Sequence, residues 1–226
     1  EDVYNSFSLG IGKDGVAGYP LINAYLTGKE LKLVAEVDAS VSDFMTTARL
    51  YCSGLNFTFN PHRMILNKVT DCYLTREDGE RIEIQDDQLY RVVTDLYTGQ
   101  MLGSVMEMSY GLLKIEPKDK DGNPIENLED QAIMEGDKEL KAWDAIARYM
   151  KSFDDTDGNG ISNVPEYYET THGRKVVDES RNVIDLVKNP NKFSVMIVGI
   201  VLVLILIIIL LVVLIRKLIK KRRRKK

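Results

Sequence analysis

The 226-residue sequence predicts an α+β fold, a mixed sheet with flanking helices, followed by a polar stalk and one transmembrane helix. Three observations predict it. Short runs of period-two alternation are interrupted by stretches of helical periodicity, without the regular strand–helix–strand repeat of a parallel sheet. A Thr-x-x-Glu signature sits where one such strand meets a helix. The segment 193–215, FSVMIVGIVLVLILIIILLVVLI, carries no charged residue.

The elements follow in order. Residues 19–26 (YPLINAYL) read as a strand, and Thr27-Gly-Lys-Glu30 then starts a helix, because the Thr hydroxyl and the Glu carboxylate each bond the other's backbone N–H. Leu31, Val34, Ala35, Val41, Phe44 and Met45 form its apolar stripe. Residues 55–60 (LNFTFN) alternate and stop at Pro61. Residues 69–74 and 81–84 make a hairpin around Glu77-Asp78-Gly79-Glu80, in which the Asp-Gly pair is expected to supply positive φ values. Residues 89–97 (LYRVVTDLY) form a further strand, and a Thr98-capped helix then presents Met101, Leu102, Val105 and Met106. Residues 112–116 read as a strand leading to the Asp121-Gly122-Asn123-Pro124 turn. A longer helix is expected over 137–152, with Leu140, Trp143, Ile146, Ala147 and Met150 on one face. These elements make a first domain, 1–153. The stretch 154–192 has many charges and little periodicity and reads as an acidic loop and stalk, ahead of the membrane segment 193–215 and a basic tail, 216–226.

The charges divide unevenly. Nine of the 30 Lys+Arg lie in 216–226, which leaves 21 against 34 Asp+Glu in residues 1–192, a net of about −13. Affinity for a phosphate backbone comes from Lys and Arg neutralising phosphates, so a body this acidic excludes nucleic acid as the main partner. The apolar segment is long enough, at ~1.5 Å per residue, to cross a hydrocarbon core of ~30 Å. A core helix of a soluble domain rarely stays apolar on every face for this length. The basic run RKLIKKRRRKK follows at once and marks the cytoplasmic side. The body is therefore expected outside the cytoplasm, on a single-pass anchor in the cell membrane whose C-terminus is cytoplasmic. A GPI signal would not end in such a run. The opening EDVYNSFSLG has neither Met, basic start nor apolar core, so an export signal was removed or belongs to a longer chain. Cys52 and Cys72 are candidates for a disulfide on the oxidising side, although two buried thiols is the favoured reading. The sequon Asn56-Phe-Thr58 lies inside a predicted strand and reads as incidental.

Site chemistry is sparse. Two histidines, His62 and His172, do not supply the Asp, His and Asn ligands that a dinuclear phosphatase centre needs. Phosphate-loop, HExxH and GxSxG signatures are missing, and SLGIGKDG (8–15) lacks the GK[ST] ending and reads as an ordinary turn. The acidic loop offers more: Asp155, Asp157, Asn159, Ile161 and Glu166 fall at positions 1, 3, 5, 7 and 12 of an EF-hand-type calcium loop, with Gly160 at position 6. Hard oxygen donors on alternate residues wrap one hard cation. Against this, Pro165 disrupts the expected exit helix, and the same composition makes a flexible Asp/Gly hinge.

Three segments carry a resemblance: LTGKEL (26–31), YCSGLNFTFNP (51–61) and LYRVVTDLYTGQML (89–102), in this order and at suitable separations. Over residues 8–153 the chain resembles the C-terminal domain of the 5'-nucleotidase family. That resemblance implies a division of labour. An upstream calcineurin-like metallophosphatase domain with two divalent metal ions cleaves phosphate, while the C-terminal domain grips the nucleoside, its base between aromatic rings. Domain rotation then carries the substrate to the metals. The chain would be the substrate-recognition half of a membrane-anchored, extracytoplasmic 5'-nucleotidase or phosphoester hydrolase, with a nucleotide or nucleoside, the upstream domain and the lipid bilayer as partners. The resemblance puts Tyr97 where a stacking Phe is expected, with Tyr51, just before the Ser53-Gly54 turn, as the nearest candidate for the opposing ring; Arg49 and Arg63 are candidates for a phosphate or base edge. The competing reading of Tyr97 is a half-buried ring that ends a strand. One departure concerns the family's Gly-Gly-Asp-Gly run, which is Met101-Leu102-Gly103-Ser104 here. Gly103 replaces the Asp, which leaves nucleoside preference open. A second function class remains: a non-enzymatic, membrane-anchored, calcium-stiffened binding or adhesion module in which Tyr97 is structural.

Overall fold

The structure, a computed structural model, describes residues 1–42, 44–45, 49–109 and 113–223. The chain divides into two compact units. The first comprises Glu1–Ala35, Cys52–Asn56 and Cys72–Arg174; the second comprises Glu36–Tyr51, Phe57–Asp71 and Lys175–Lys226. The class is α+β, with a mixed sheet and flanking helices.

In the first unit, β1 (Leu21–Thr27) pairs antiparallel with β5 (Leu89–Asp95) in a ladder from Leu21↔Asp95 to Thr27↔Leu89. Side chains alternate across a strand, so Ile22, Ala24 and Leu26 share its buried face. Leu31, Val34, Ala35, Ile84, Leu96, Leu113 and Ile115 are further buried apolar residues of this unit. Helix α2 (Gly28–Val41) starts at the expected capping box. Thr27 N and Oγ1 donate to Glu30 Oε2 at 2.8 and 2.7 Å, and Glu30 N donates to Thr27 Oγ1 at 3.3 Å. The other carboxylate oxygen accepts from Lys118 Nζ at 2.6 Å and Glu116 N at 3.1 Å, so one buried side chain ties the helix start to a distant loop. Gly28 has a packing reason: a Cβ there would lie 2.1 Å from the Gln85 carbonyl oxygen. The first N–H groups of α2 donate into the same loop, Gly28 N to Gln88 O and Lys29 N to Asp86 O, both at 3.0 Å.

Several expectations need correction. The hairpin of β3 (Val69–Thr75) and β4 (Arg81–Glu83) forms, but in its loop only Gly79 takes a left-handed φ, of 86°. Gly79 N donates to Arg76 O, which closes a three-residue loop with one αL position rather than a tight two-residue turn. The strand over 89–97 stops at Asp95, and Leu96 and Tyr97 open α3 (Leu96–Met108). Asp95, not Thr98, is its cap, accepting from Thr98 N at 2.9 Å and Thr98 Oγ1 at 2.7 Å. The side chains of Val105 and Met106, and Leu112, lie outside the described residues. Residues 113–116 form no strand; Leu113 and Ile115 are buried from an irregular segment, and pairing resumes only as single bridges at Lys118. The helix expected from 137 begins at Ala142 (α4, Ala142–Lys151), because β6 (Met134–Glu135) and β7 (Lys138–Glu139) form a small hairpin ahead of it. α2 ends at Val41, which leaves Phe44 and Met45 beyond the helix and Phe44 81% exposed.

The second unit holds the rest of α2 and the paired segment of β2 (Leu55–Phe59) with β8 (Lys175–Val177), which runs parallel to it from Phe57↔Lys175 to Phe59↔Val177. The order of the four-stranded sheet is β4-β3-β2-β8. The stretch 154–192, read as a stalk, thus supplies an edge strand and a short helix, α5 (Val183–Val187). The interior here mixes apolar Val37, Ala39, Phe57 and Phe193 with many polar groups. Glu36 Oε2 accepts from Lys68 N at 3.0 Å and Oε1 from Val69 N at 2.8 Å; Asp38 holds Lys175 Nζ at 2.8 Å and Leu50 N at 2.7 Å. Arg63 is buried and donates to three carbonyls, those of Asn67, Asp185 and Lys188, so it is a clamp rather than a contact for a phosphate or base. The apolar helix α6 (Lys192–Arg223) is capped by Asn191, whose Oδ1 accepts from Phe193 N and Ser194 N at 3.1 Å each. By length and composition α6 is able to cross a membrane: its mean hydropathy reaches 3.9 and that stretch is unburied. Cys52 and Cys72 are half-buried thiols, where buried ones were expected.

Candidate functional site

A cleft of about 610 Å³ opens in the first unit, a size typical of small-ligand sites. The β1–β5 register builds its floor. Leu21 faces Asp95, and Leu96 N donates to Pro20 O at 2.9 Å, so the residues flanking that bond, Tyr19 and Tyr97, come side by side. Their ring centroids are 5.7 Å apart at an interplanar angle of 32°. One wall is α4. Its start is fixed to the same strand end by Leu21 N donating to Leu140 O at 2.8 Å and Ala142 N donating to Tyr19 O at 3.1 Å, which turns Ala142, Ala145, Ile146 and Tyr149 toward the cleft. The other wall is α1 (Asp2–Phe7), packed on α4 through Tyr4 and Trp143, whose ring centroids are 5.1 Å apart edge to face. Trp143 Nε1 in turn donates to Ala17 O at 3.0 Å.

The lining is mainly apolar, with Phe7, Leu9, Leu21 and Ile146 between the tyrosines and a small polar set, Ser6, Thr94, Asp95 and Thr98. Such a surface presents π-faces to a flat ring and a few hydroxyl and carboxylate oxygens to sugar-like hydroxyls. Each Asp95 oxygen already accepts one bond from Thr98 and keeps a lone pair for another donor. Among the described residues no Lys or Arg lines the cleft.

Tyr97 sits in this cleft, 47% exposed, in the first turn of α3 rather than at a strand end. Tyr51, the expected opposing ring, belongs to the second unit, is 88% exposed and has Lys175 Nζ 5.2 Å from its ring centroid. Arg49, also of the second unit, is exposed, and Gly54 marks a left-handed turn (φ 84°) that receives Thr75 N at its carbonyl. None of these three lines the cleft. Tyr19, Tyr149 and Phe7 do, and sequence reading missed them. For Tyr19 the only signal was the antiparallel pairing of two strand-like segments, 19–26 and 89–97, whose opposite ends place 19 beside 97.

The acidic loop folds on itself. Asp155 accepts from the N–H groups of Gly158, Asn159 and Gly160, Asp157 from Asn159, and Asn159 Oδ1 from Ile161 N; Glu166 opens a separate 3-10 turn, Glu166–Glu169. These bonds hold Asp155 below its ordinary pKa, Gly160 N contributing most. Among the described residues no three His, Cys, Asp or Glu side chains converge so as to hold a metal ion.

Residues 16–108 match the family described as 5'-nucleotidase, C-terminal domain. Among solved structures the chain is similar to the 5'-nucleotidase precursor from Thermus thermophilus, with 17% identity over 72% of this chain and 26% of that one, and a TM-score of 0.48. It is also similar to NAD nucleotidase (NadN) from Haemophilus influenzae, with 17% identity over 78% of this chain and 26% of that one, and a TM-score of 0.42. The chain therefore spans about a quarter of the length of either protein. No curated protein matches it.

Proposed function

From the premise that residues 16–108 match the 5'-nucleotidase C-terminal domain, we propose that the first unit is the nucleoside-gripping half of a membrane-anchored nucleotidase or related phosphoester hydrolase. Its metal-bearing catalytic domain would lie in the remainder of the full-length protein. The observation that carries this is the paired rings of Tyr19 and Tyr97, both within the matched segment, in an apolar cleft. A base between two rings needs roughly 7 Å, two contact thicknesses of about 3.5 Å. The 5.7 Å between these centroids is too small, so the base stacks on the outer side of the pair, and Asp95 and Thr98 receive the ribose hydroxyls. The described residues of this chain do not fit a dinuclear metal centre, and no bond-breaking step is assigned to them. Helix α6 spans the bilayer, with the basic tail on the cytoplasmic side and the residues ahead of α6 outside it.

The test is nucleoside binding to the detergent-solubilised chain by calorimetry. Base–aromatic stacking is worth ~1–3 kcal/mol, so Tyr97→Ala is expected to weaken binding by roughly five- to over a hundredfold, while Tyr97→Phe binds like wild type. Unchanged affinity in a folded Tyr97→Ala variant removes the nucleoside-gripping reading and leaves a non-enzymatic anchored module.

A further inference from the structure

Helix α5 (Val183–Val187) turns three of its four apolar residues to solvent. Its half-buried side holds only Leu186 of its four apolar residues, beside Asp185, whose Oδ2 accepts from Ser180 Oγ at 2.8 Å and whose carbonyl receives the Arg63 guanidinium. Its outward side carries Val183, Ile184 and Val187, 71%, 70% and 65% exposed. Contiguous apolar side chains turned to solvent mark a surface that meets something apolar. Two facts identify the occupant. First, α5 cannot leave the neighbourhood of the membrane helix: five residues separate Val187 from Phe193, at most ~20 Å of chain at about 3.5 Å per residue step. Second, both ends of the intervening loop are fastened to the same segment of the second unit. Arg63 Nη2 donates to Lys188 O at 2.7 Å, Asn191 N donates to Asn67 Oδ1 at 3.3 Å, and the Asn191 amide donates to the Leu66 carbonyl. Around the apolar face stand the exposed Arg181 and Lys188, whose long stems suit an apolar surface and whose charges suit lipid phosphates.

We propose that α5 is an interfacial helix: Val183, Ile184 and Val187 enter the headgroup–acyl boundary of the bilayer that α6 crosses, so the second unit rests on the membrane instead of standing off on a stalk. This rests on the reading of α6 as a membrane span, and the experiment separates the two. The full chain carrying Ile184→Trp, Val187→Trp or Leu206→Trp is reconstituted at one copy per nanodisc in phosphatidylcholine brominated either high or deep on the acyl chain. Emission is read as a difference from the wild-type chain, whose own Trp143 is constant. For 184 and 187 the expected result is a blue-shifted band that shallow bromine quenches more than deep bromine, while the 206 variant is quenched most by deep bromine. Solvent-like, unquenched emission at 184 and 187 beside a deeply quenched 206 overturns the interfacial helix alone. Loss of quenching at all three positions overturns the anchor as well. A blue shift at 184 and 187 seen only with several chains per disc assigns the face to a second copy and overturns the proposal.

Discussion

Two buried carboxylates on α2 show how environment sets the sign of a residue's contribution. Burial, the largest influence on Glu30, raises its pKa, but the Lys118 ammonium and the Thr27 hydroxyl and N–H outweigh it and hold the group below its ordinary value. A lowered carboxyl pKa contributes stability that is complete above the ordinary Glu range and is lost as pH falls from that range through the lowered pKa. Glu30→Gln removes a charge-assisted bond of ~2 kcal/mol, so its thermal unfolding midpoint is expected to drop at pH 7 and to converge on wild type in acid. A deficit equal at both pH values would show that the Lys118 pair adds nothing through its charge. Glu36 runs the other way: burial pushes its carboxyl up, and the bonds from Val69, Lys68 and Ser40 only partly oppose it. Its contribution is greatest at low pH and is lost as pH rises from the ordinary Glu range through the raised pKa. Asn56 settles the sequon at the same scale. The amide nitrogen that a glycan would need is buried and donates to Gly54 O at 3.2 Å and Thr75 Oγ1 at 2.7 Å.

At the level of elements, legibility followed the range of the interaction that decides each one. The start of α2 was readable because a capping box is complete within four residues. The start of α3 was not, because Leu96 N finds its partner in Pro20, far away in sequence, and this cuts the strand at Asp95 and swings Tyr97 into the cleft. Three-residue β8 was invisible inside a charged stretch, since a parallel partner leaves no local pattern. Even the Tyr97 assignment came without its neighbours, as Tyr19 and Tyr149 reach it only through the β1–β5 register and the late start of α4. Two glycines test how tightly these elements fit. At Gly28 an added methyl meets the backbone carbonyl of Gln85, which cannot give way, so Gly28→Ala is expected to cost about 2–3 kcal/mol. At Gly99 the methyl would lie 2.7 Å from Ile22 Cδ1, the tip of a side chain that can move. The gain in helix propensity from Gly to Ala, ~1 kcal/mol, should leave Gly99→Ala within about 1 kcal/mol of wild type. Urea unfolding of the two variants checks this, and a larger loss at 99 than at 28 would refute the distinction.

Over the whole molecule, the proposed orientation rests on which side of the bilayer each charge would occupy. Residues 1–192 carry a net of about −13 and residues 216–226 nine positive charges, separated by an uncharged apolar segment. Each basic residue at an anionic cytoplasmic leaflet gains ~1 kcal/mol, and moving one charge across the membrane against 100 mV costs ~2.3 kcal/mol. In the proposed orientation these terms hold the tail inside, and an acidic body meets no comparable attraction there. Reversing four of these charges at once, with Arg216, Lys217, Lys220 and Lys221 all changed to Glu, removes the bias and sets acidic groups against the same leaflet. In intact cells a C-terminal tag on the wild-type protein is expected to resist external protease until the membrane is permeabilised. The four-Glu variant should expose the tag in part or fail to insert. External cleavage of the wild-type tag would invert the orientation, and with it the argument that the aromatic cleft faces extracytoplasmic substrate.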